Sequence, residues 1–293
     1  MKIYCERQVI ITVKLVTDST SYIGKETQDD LDINVVNLSV NFPDEVFDET
    51  IVSYEYFYNK IERDNVIPTS SQPPLGDICR VFRDLVAKGN DVLGIFISSQ
   101  MSGTHDSAKS AKEIVLKEFP DSRIEIIDSK TNCMALGLQV VEAAKAAQLG
   151  KTIDDVMEIA LDIRKKVRFY FVPATLDYLI KGGRIGGASA LIGSLLSIRP
   201  ILYVNDGVTD VLTKVRGSGK AKDKLIEKLQ EDVKRLGLKH LLVHNIHDPL
   251  QGEEFAARLG RQFKREVESM SIGPVIGAHV GPGAIGIVYS TDN

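Results

Sequence analysis

The sequence predicts an α/β protein of two domains: an N-terminal α/β domain with a parallel sheet, residues 1–165, and a C-terminal α/β domain with a mixed or antiparallel sheet, residues 166–293. Three observations carry this. A chain of 293 residues exceeds one comfortable core. In the first half, apolar β-branched runs alternate with helical patterns, as crossover units require. In the second half, Asp206-Gly207 sits between two apolar runs and marks a hairpin.

Val13–Thr17 reads as a buried strand ending in the polar loop Asp18–Thr20, and the residues before it as an appendage. Val35–Val40 is a second strand, and Tyr54–Ile61 has helical spacing. Ile67–Pro74 reads as a loop whose prolines open a helix running to about Ala87. Val92–Ile97 is a nearly continuous apolar strand, as parallel sheets require, and Ser98–Thr104 leads from it into a helix from about His105. Ile124–Ile127 is a strand, followed by an Ala- and Leu-rich helix to about Leu149. Thr152–Lys166 is a charged amphipathic helix bridging the halves. Beyond it, Phe169–Val172 is a strand, and a helix to Ile180 runs into the glycine pairs around Arg184. Ile198–Val204 and Val208–Val215 form the hairpin; a helix over 218–235 has Ser218 as its N-cap; His240–Ile246, Val275–Ala278 and Ile285–Tyr289 complete the strands.

Composition narrows the function classes. Apolar residues at 43% and charged residues at 26% are ordinary for a globular chain. A net charge of -4, no basic stripe and no Trp leave no footprint for nucleic acid. No window approaches the about 18 consecutive apolar residues of a membrane span, and charges interrupt the N-terminal apolar stretch, so no stable membrane insertion and a cytoplasmic location are expected. Cys5, Cys79 and Cys133 are widely spaced and odd in number, which argues against a disulfide framework or a zinc site and for small core residues.

Several motifs fail their own context. Gly281–Gly286 spells GxGxxG, but too few residues follow for a βαβ unit, and Pro282 removes a donor; the glycines instead let the backbone turn beside something bulky. Gly217-Ser218-Gly219-Lys220 lacks the first glycine of a P-loop, because Lys214 stands there. His244 and His247 lie three apart, which in a strand points them to opposite faces, and no further ligand cluster supports a metal.

Other residues keep two readings. In open parallel sheets ligands sit beyond the carboxyl ends of the strands, which selects the loops Asp18–Thr20, Ser98–Ser102 and Asp128–Ser129. Ser98, Ser99 and Ser102 stand at a helix start, either as an anion site or with Ser102 or Thr104 as a simple cap. Arg184, between glycine pairs, is a planar anion binder or a structural ion pair. Arg216 follows a strand and precedes a glycine turn, and on its own it reads as an exposed charge. His279 is a satisfied core residue, a hydrogen-bond donor or a base.

Taken in order, these segments resemble the bacterial DegV family. The matching pieces are 16–20 (Val-Thr-Asp-Ser-Thr), 70–73 (Ser-Ser-Gln-Pro), Ser98-Ser99 with Ser102-Gly103-Thr104, Gly183-Arg184-Ile185, Arg199-Pro200, Val215-Arg216, and His279 with Gly281 and Gly283. The resemblance implies a fatty acid such as palmitate buried between the two domains, no other cofactor, and a monomeric carrier that presents the carboxylate to a separate fatty acid kinase without chemistry of its own. By the same resemblance Ser70, or Thr69 one position earlier, contacts the carboxylate together with Ser98, Ser99 or Ser102 and His279, while Arg184 and Arg216 support the head group or dock the kinase. Two other readings stand beside this one: a serine acyl hydrolase using Ser99 or Ser102 with His279, although no G-x-S-x-G elbow occurs, and a binding module for a phosphorylated metabolite.

Overall fold

The computed structural model describes residues 12–192 and 198–293. Cys5, the N-terminal appendage and most of the apolar stretch 190–196, which the sequence offers as tail lining or core, lie outside the described residues. In chain order the first half comprises β1 (Val13–Asp18), α1 (Lys25–Asp30), β2 (Ile33–Val36), β3 (Ser39–Asn41), β4 (Val46–Asp48), α2 (Tyr54–Asp64), β5 (Thr69–Ser71), α3 (Leu75–Val86), β6 (Asp91–Phe96), α4 (Thr104–Glu118), β7 (Ile124–Asp128) and α5 (Cys133–Gln148). The rest comprises α6 (Ile153–Lys166), β8 (Val167–Val172), α7 (Asp177–Lys181), β9 (Ile198–Asn205), β10 (Val208–Arg216), α8 (Ser218–Leu236), β11 (His240–Asn245), α9 (Pro249–Phe263), β12 (Glu268–Ser271), α10 (Pro274–Val280) and β13 (Ile285–Ser290).

These strands make three sheets. A parallel sheet has the order β2-β1-β6-β7, and a mixed sheet the order β10-β9-β8-β13-β11-β12, as the alternating pattern and the hairpin predict. The third, antiparallel β4-β3-β5, was not foreseen. The run over 35–40 read as one strand is split: β2 ends at Val36 in the parallel sheet, and β3 begins at Ser39 in the small one. Thr69–Ser71, read as loop, is its edge strand, pairing Ser70 with Val40.

Strand alternation assigns each side chain to a layer. In β1, Leu15 faces the central core while Val16 packs under α3 and α4; in β8, Phe169 and Phe171 face the central core while Tyr170 and Val172 pack under α8 and α9. The central core is continuous from Leu93 and Ile95 of the parallel sheet to Leu202, Leu242 and Val288 of the mixed sheet, with the buried helix α5 between them. Cys79 and Cys133 are buried free thiols.

Three local expectations are corrected. Val275–Ala278 is not a strand but most of α10: Pro274 at the first helical position and Gly281 after the last carry the start and stop signals, and they outweigh the β-branched Val275 and Ile276. His279 therefore sits in the last turn of a helix rather than at a strand end. Gly217, not Ser218, is the residue before α8. Gly281 adopts φ 85°, and a Cβ there would come within 2.5 Å of the Tyr178 ring, so the bulky neighbour expected at this glycine is Tyr178.

Candidate ligand-binding site

Between the parallel and mixed sheets lies a narrow, partly open cleft. Its wall is mostly apolar: Leu38 and Ile97 from the first half, Phe169, Phe171, Val204, Ile246 and Ile285 from the mixed sheet, and Ile272, Val275, Ile276 and Val280 from α10 and the turn before it. Polar groups are few, and Ser70, Ser102, Arg184 and His279 are among them.

Each of these four is placed by its element. In β5, Ser70 turns inward while Thr69 and Ser71 are exposed on the other face, Ser71 accepting from Asn41 at 2.7 Å. Alternation thus separates Ser70 from Thr69, which does not reach the cleft. The helix α10 packs on β5 and brings His279 Nε2 to 2.7 Å from Ser70 Oγ, across 209 residues of sequence. A Cβ at Gly182 would lie 2.3 Å from His279 Nδ1, so glycine is what lets the end of α7 close over the imidazole. The next turn carries Arg184, whose guanidinium donates to the carbonyls of Met101 at 2.9 Å and Gly182 at 2.6 Å. Among the described residues Arg184 has no carboxylate partner, and its contact with Met101 ties it to the loop of Ser102. Ser102 Oγ lies 2.9 Å from Thr104 Oγ1 and accepts from the Thr104 N–H at 3.3 Å, but the residue that caps α4 is Gly103, without a side-chain bond, so neither Ser102 nor Thr104 is the expected cap.

The remaining candidates are held elsewhere. Ser99 donates to Asp128 at 2.5 Å. Ser98 is fully buried and donates to the Gly207 carbonyl at 2.8 Å. Arg216 ends β10, exposed and paired with Ile198 across the hairpin, outside the cleft wall.

Burial, with a smaller contribution from the Arg184 charge, pushes the pKa of His279 down to about 4. The imidazole is therefore neutral at pH 7, and Arg184 is the cation of the wall among the described residues. His279 Nδ1 is buried with no hydrogen-bond partner among the described residues.

Three polar wall residues have no ligand-binding reading in the sequence, where His244 is weighed only as a metal ligand. Asn132 precedes α5, and its Oδ1 is buried without a partner among the described residues. Thr209 is buried in β10. His244 accepts from the Met134 N–H at Nε2 and donates from Nδ1 to the Met270 carbonyl, both at 3.2 Å. Those bonds fix a neutral tautomer, and burial pushes its pKa down to about 4. None of the three carries a local motif; only tertiary packing brings them to the cleft. Among the described residues no group of three or more His, Cys, Asp or Glu side chains could hold a metal ion, and no helix is long and apolar enough to cross a membrane.

Comparison with known proteins agrees with this architecture. The model of the DegV family, described as uncharacterised proteins, matches residues 12–292. A DegV domain-containing protein of Clostridium acetobutylicum is 45% identical over 282 residues, covering 96% of this chain and 99% of that protein. The crystal structure of DegV from Bacillus subtilis, described as a fatty acid binding protein, superposes with a TM-score of 0.85 at 32% identity, covering 96% of this chain and 99% of that one. A stearic acid-binding protein from Eubacterium ventriosum superposes with a TM-score of 0.86 at 25% identity, covering 96% and 98%. A family match that spans both large sheets, and a relative well above 30% identity along nearly its whole length, mean that this chain belongs to the DegV family.

Proposed function

We propose that this protein binds one long-chain fatty acid in the cleft between its sheets and presents the carboxylate to a separate fatty acid kinase. The observation that carries the reading is the segregation of the cleft wall: apolar side chains line most of it, while Ser70, Ser102, His279 and Arg184 supply hydroxyl, imidazole and guanidinium groups. A fatty acid makes those two demands. Its tail gains about 0.8 kcal/mol per buried CH₂, or on the order of 10 kcal/mol for a palmitoyl chain before ordering costs. Its carboxylate resists burial unless several donors satisfy it. The description of the Bacillus and Eubacterium relatives as fatty acid-binding proteins supports the same assignment. Arg184 and Arg216 are exposed cations suited to docking the kinase, and Arg184 also reaches the head group.

The test is extraction of the purified protein and mass spectrometry of the extract, followed by rebinding of palmitate to stripped protein. One equivalent of fatty acid, lost and regained, supports the reading. Failure of stripped, folded protein to bind any long-chain fatty acid overturns it.

One observation favours a second reading. Ser70 Oγ and His279 Nε2 stand at the distance of a nucleophile and its base, which an acyl hydrolase would use. Against it, among the described residues His279 Nδ1 has no acidic partner of the kind that orients the base in such sites. Hydrolysis of an activated acyl ester, abolished by Ser70→Ala, would establish the enzyme; the carrier reading expects none.

A further inference from the structure

Glu49 follows β4 and is 3% exposed, yet among the described residues no cation lies within ion-pair range of it. A buried carboxylate without a cation is costly and calls for a reason. Its contacts supply one. Oε1 accepts from the Ser19 hydroxyl, which itself accepts from the Leu38 N–H at 3.0 Å. Oε2 accepts from the Tyr22 hydroxyl at 3.2 Å and from the backbone N–H of Val275 at 3.1 Å, 226 residues away. The Tyr22 hydroxyl in turn accepts from the Ile276 N–H at 3.3 Å. Val275 and Ile276 are in the first turn of α10, where backbone donors have no partner within the helix. The same short helix carries His279 at its other end.

We propose that Glu49 is a positioning residue: its ionised carboxyl, with Tyr22, seats α10 so that His279 meets Ser70, and its protonation loosens that seat. This rests on the fatty acid reading only for its effect on affinity. The chemistry is one of charge. Three neutral donors point at the carboxylate, namely the Ser19 and Tyr22 hydroxyls and the Val275 N–H. A proton on Oε1 reverses the bond to the Ser19 hydroxyl, and the bonds from Tyr22 and Val275 lose the strength that the negative charge gives them. The groups that face Glu49 are Asp18 at the end of β1, Tyr22 after it, Tyr54 and Tyr58 of α2, and Cys133 at the start of α5. None is a cation. Burial, with a smaller push from Asp18, raises the Glu49 pKa to about 7, so the seat changes within the neutral range.

The imidazole of His279 reports the seat, because its own pKa lies near 4, far from that of Glu49. Its ring signal, assigned by its loss in His279→Gln, is followed by NMR in full-length protein from about pH 5.5 to about 8.5. A chemical-shift inflection near pH 7 is expected, absent in Glu49→Gln, and moved upward in Tyr22→Phe, because the Tyr22 hydroxyl bond holds the Glu49 pKa down. Palmitate affinity of the wild type is expected to fall about fivefold more between the alkaline and acid ends than that of Glu49→Gln. Absence of the inflection in wild type, or its persistence in Glu49→Gln, overturns the proposal; so does an unmoved inflection in Tyr22→Phe, which keeps the question answerable if Glu49→Gln fails to fold. Failure of the wild type to bind palmitate at alkaline pH would strike the fatty acid reading and leave the NMR result standing.

Discussion

The hydroxyl of Ser98 donates to the carbonyl of Gly207 at 2.8 Å, joining the loop after β6 to the turn of the β9–β10 hairpin. The same oxygen accepts from the Gln100 N–H at 3.2 Å. Ser98→Ala therefore leaves a carbonyl and an amide without their partner and is expected to cost about 1–3 kcal/mol of stability, read as a lower urea midpoint. Stripped Ser98→Ala protein is expected to rebind palmitate, because Ser98 is not part of the cleft wall.

Ser70 and Ser99 separate the proposed head-group contact from the scaffold. Ser70→Ala removes a hydroxyl that lines the cleft and meets His279. Loss of one such bond is expected to weaken palmitate binding about tenfold in equilibrium dialysis. Ser99→Ala breaks a bond to Asp128 outside the cleft and is expected to leave affinity within about twofold.

Val204 is half-buried in β9 and forms part of the cleft wall. Val204→Phe fills space that an acyl chain would occupy. Each methylene displaced removes about 0.8 kcal/mol of transfer free energy, so affinity for stearate is expected to fall more than affinity for laurate. Competition between chain lengths on stripped protein measures this, and an unchanged ranking would refute the assigned position of the tail.

Burial raises the pKa of Asp18 to about 6, against bonds from the Ile97 N–H at 2.8 Å and the Thr20 N–H at 3.0 Å that favour the charged form. The folded state then holds its proton more tightly than the unfolded chain, whose aspartate titrates near 3.8. The stability contributed is fully present below about pH 4 and is lost as pH rises through about 6, with an upper bound of about 3 kcal/mol. Stability curves of wild type and Asp18→Asn, measured across that window, are expected to differ by a slope of this sign. Identical slopes would show that the carboxyl is not buried as described.

Much of the fold was legible locally. Apolar runs with polar ends mark β1, β6 and β7, and Asp206-Gly207 marks the hairpin, because backbone and burial preferences act over a few residues. The misreading of α10 shows the limit: seven residues carry too little periodicity to outvote Val275 and Ile276, although Gly273-Pro274 was a visible start signal. The edge strand β5 was hidden because Thr69–Ser71 has no apolar alternation of its own and pairs only with the three-residue strand β3. At the site, Ser70 was singled out through a family resemblance and His279 already by its place before the closing glycines, whereas their contact is a product of packing between β5 and α10. Asn132, Thr209 and His244 had no such aid, since each contributes one side chain from a different element.

The cleft wall and the central core share residues: Phe169, Phe171, Leu38 and Val280 belong to both. An acyl chain in that space would be a removable piece of the interior, bound by the folded chain and not by the unfolded one. By mass action a hundredfold excess of ligand over its dissociation constant would add about 2.7 kcal/mol to folding. Melting temperature and resistance to proteolysis would then rise and fall with acyl supply, and the abundance of the protein in a cell would itself record how much lipid is at hand.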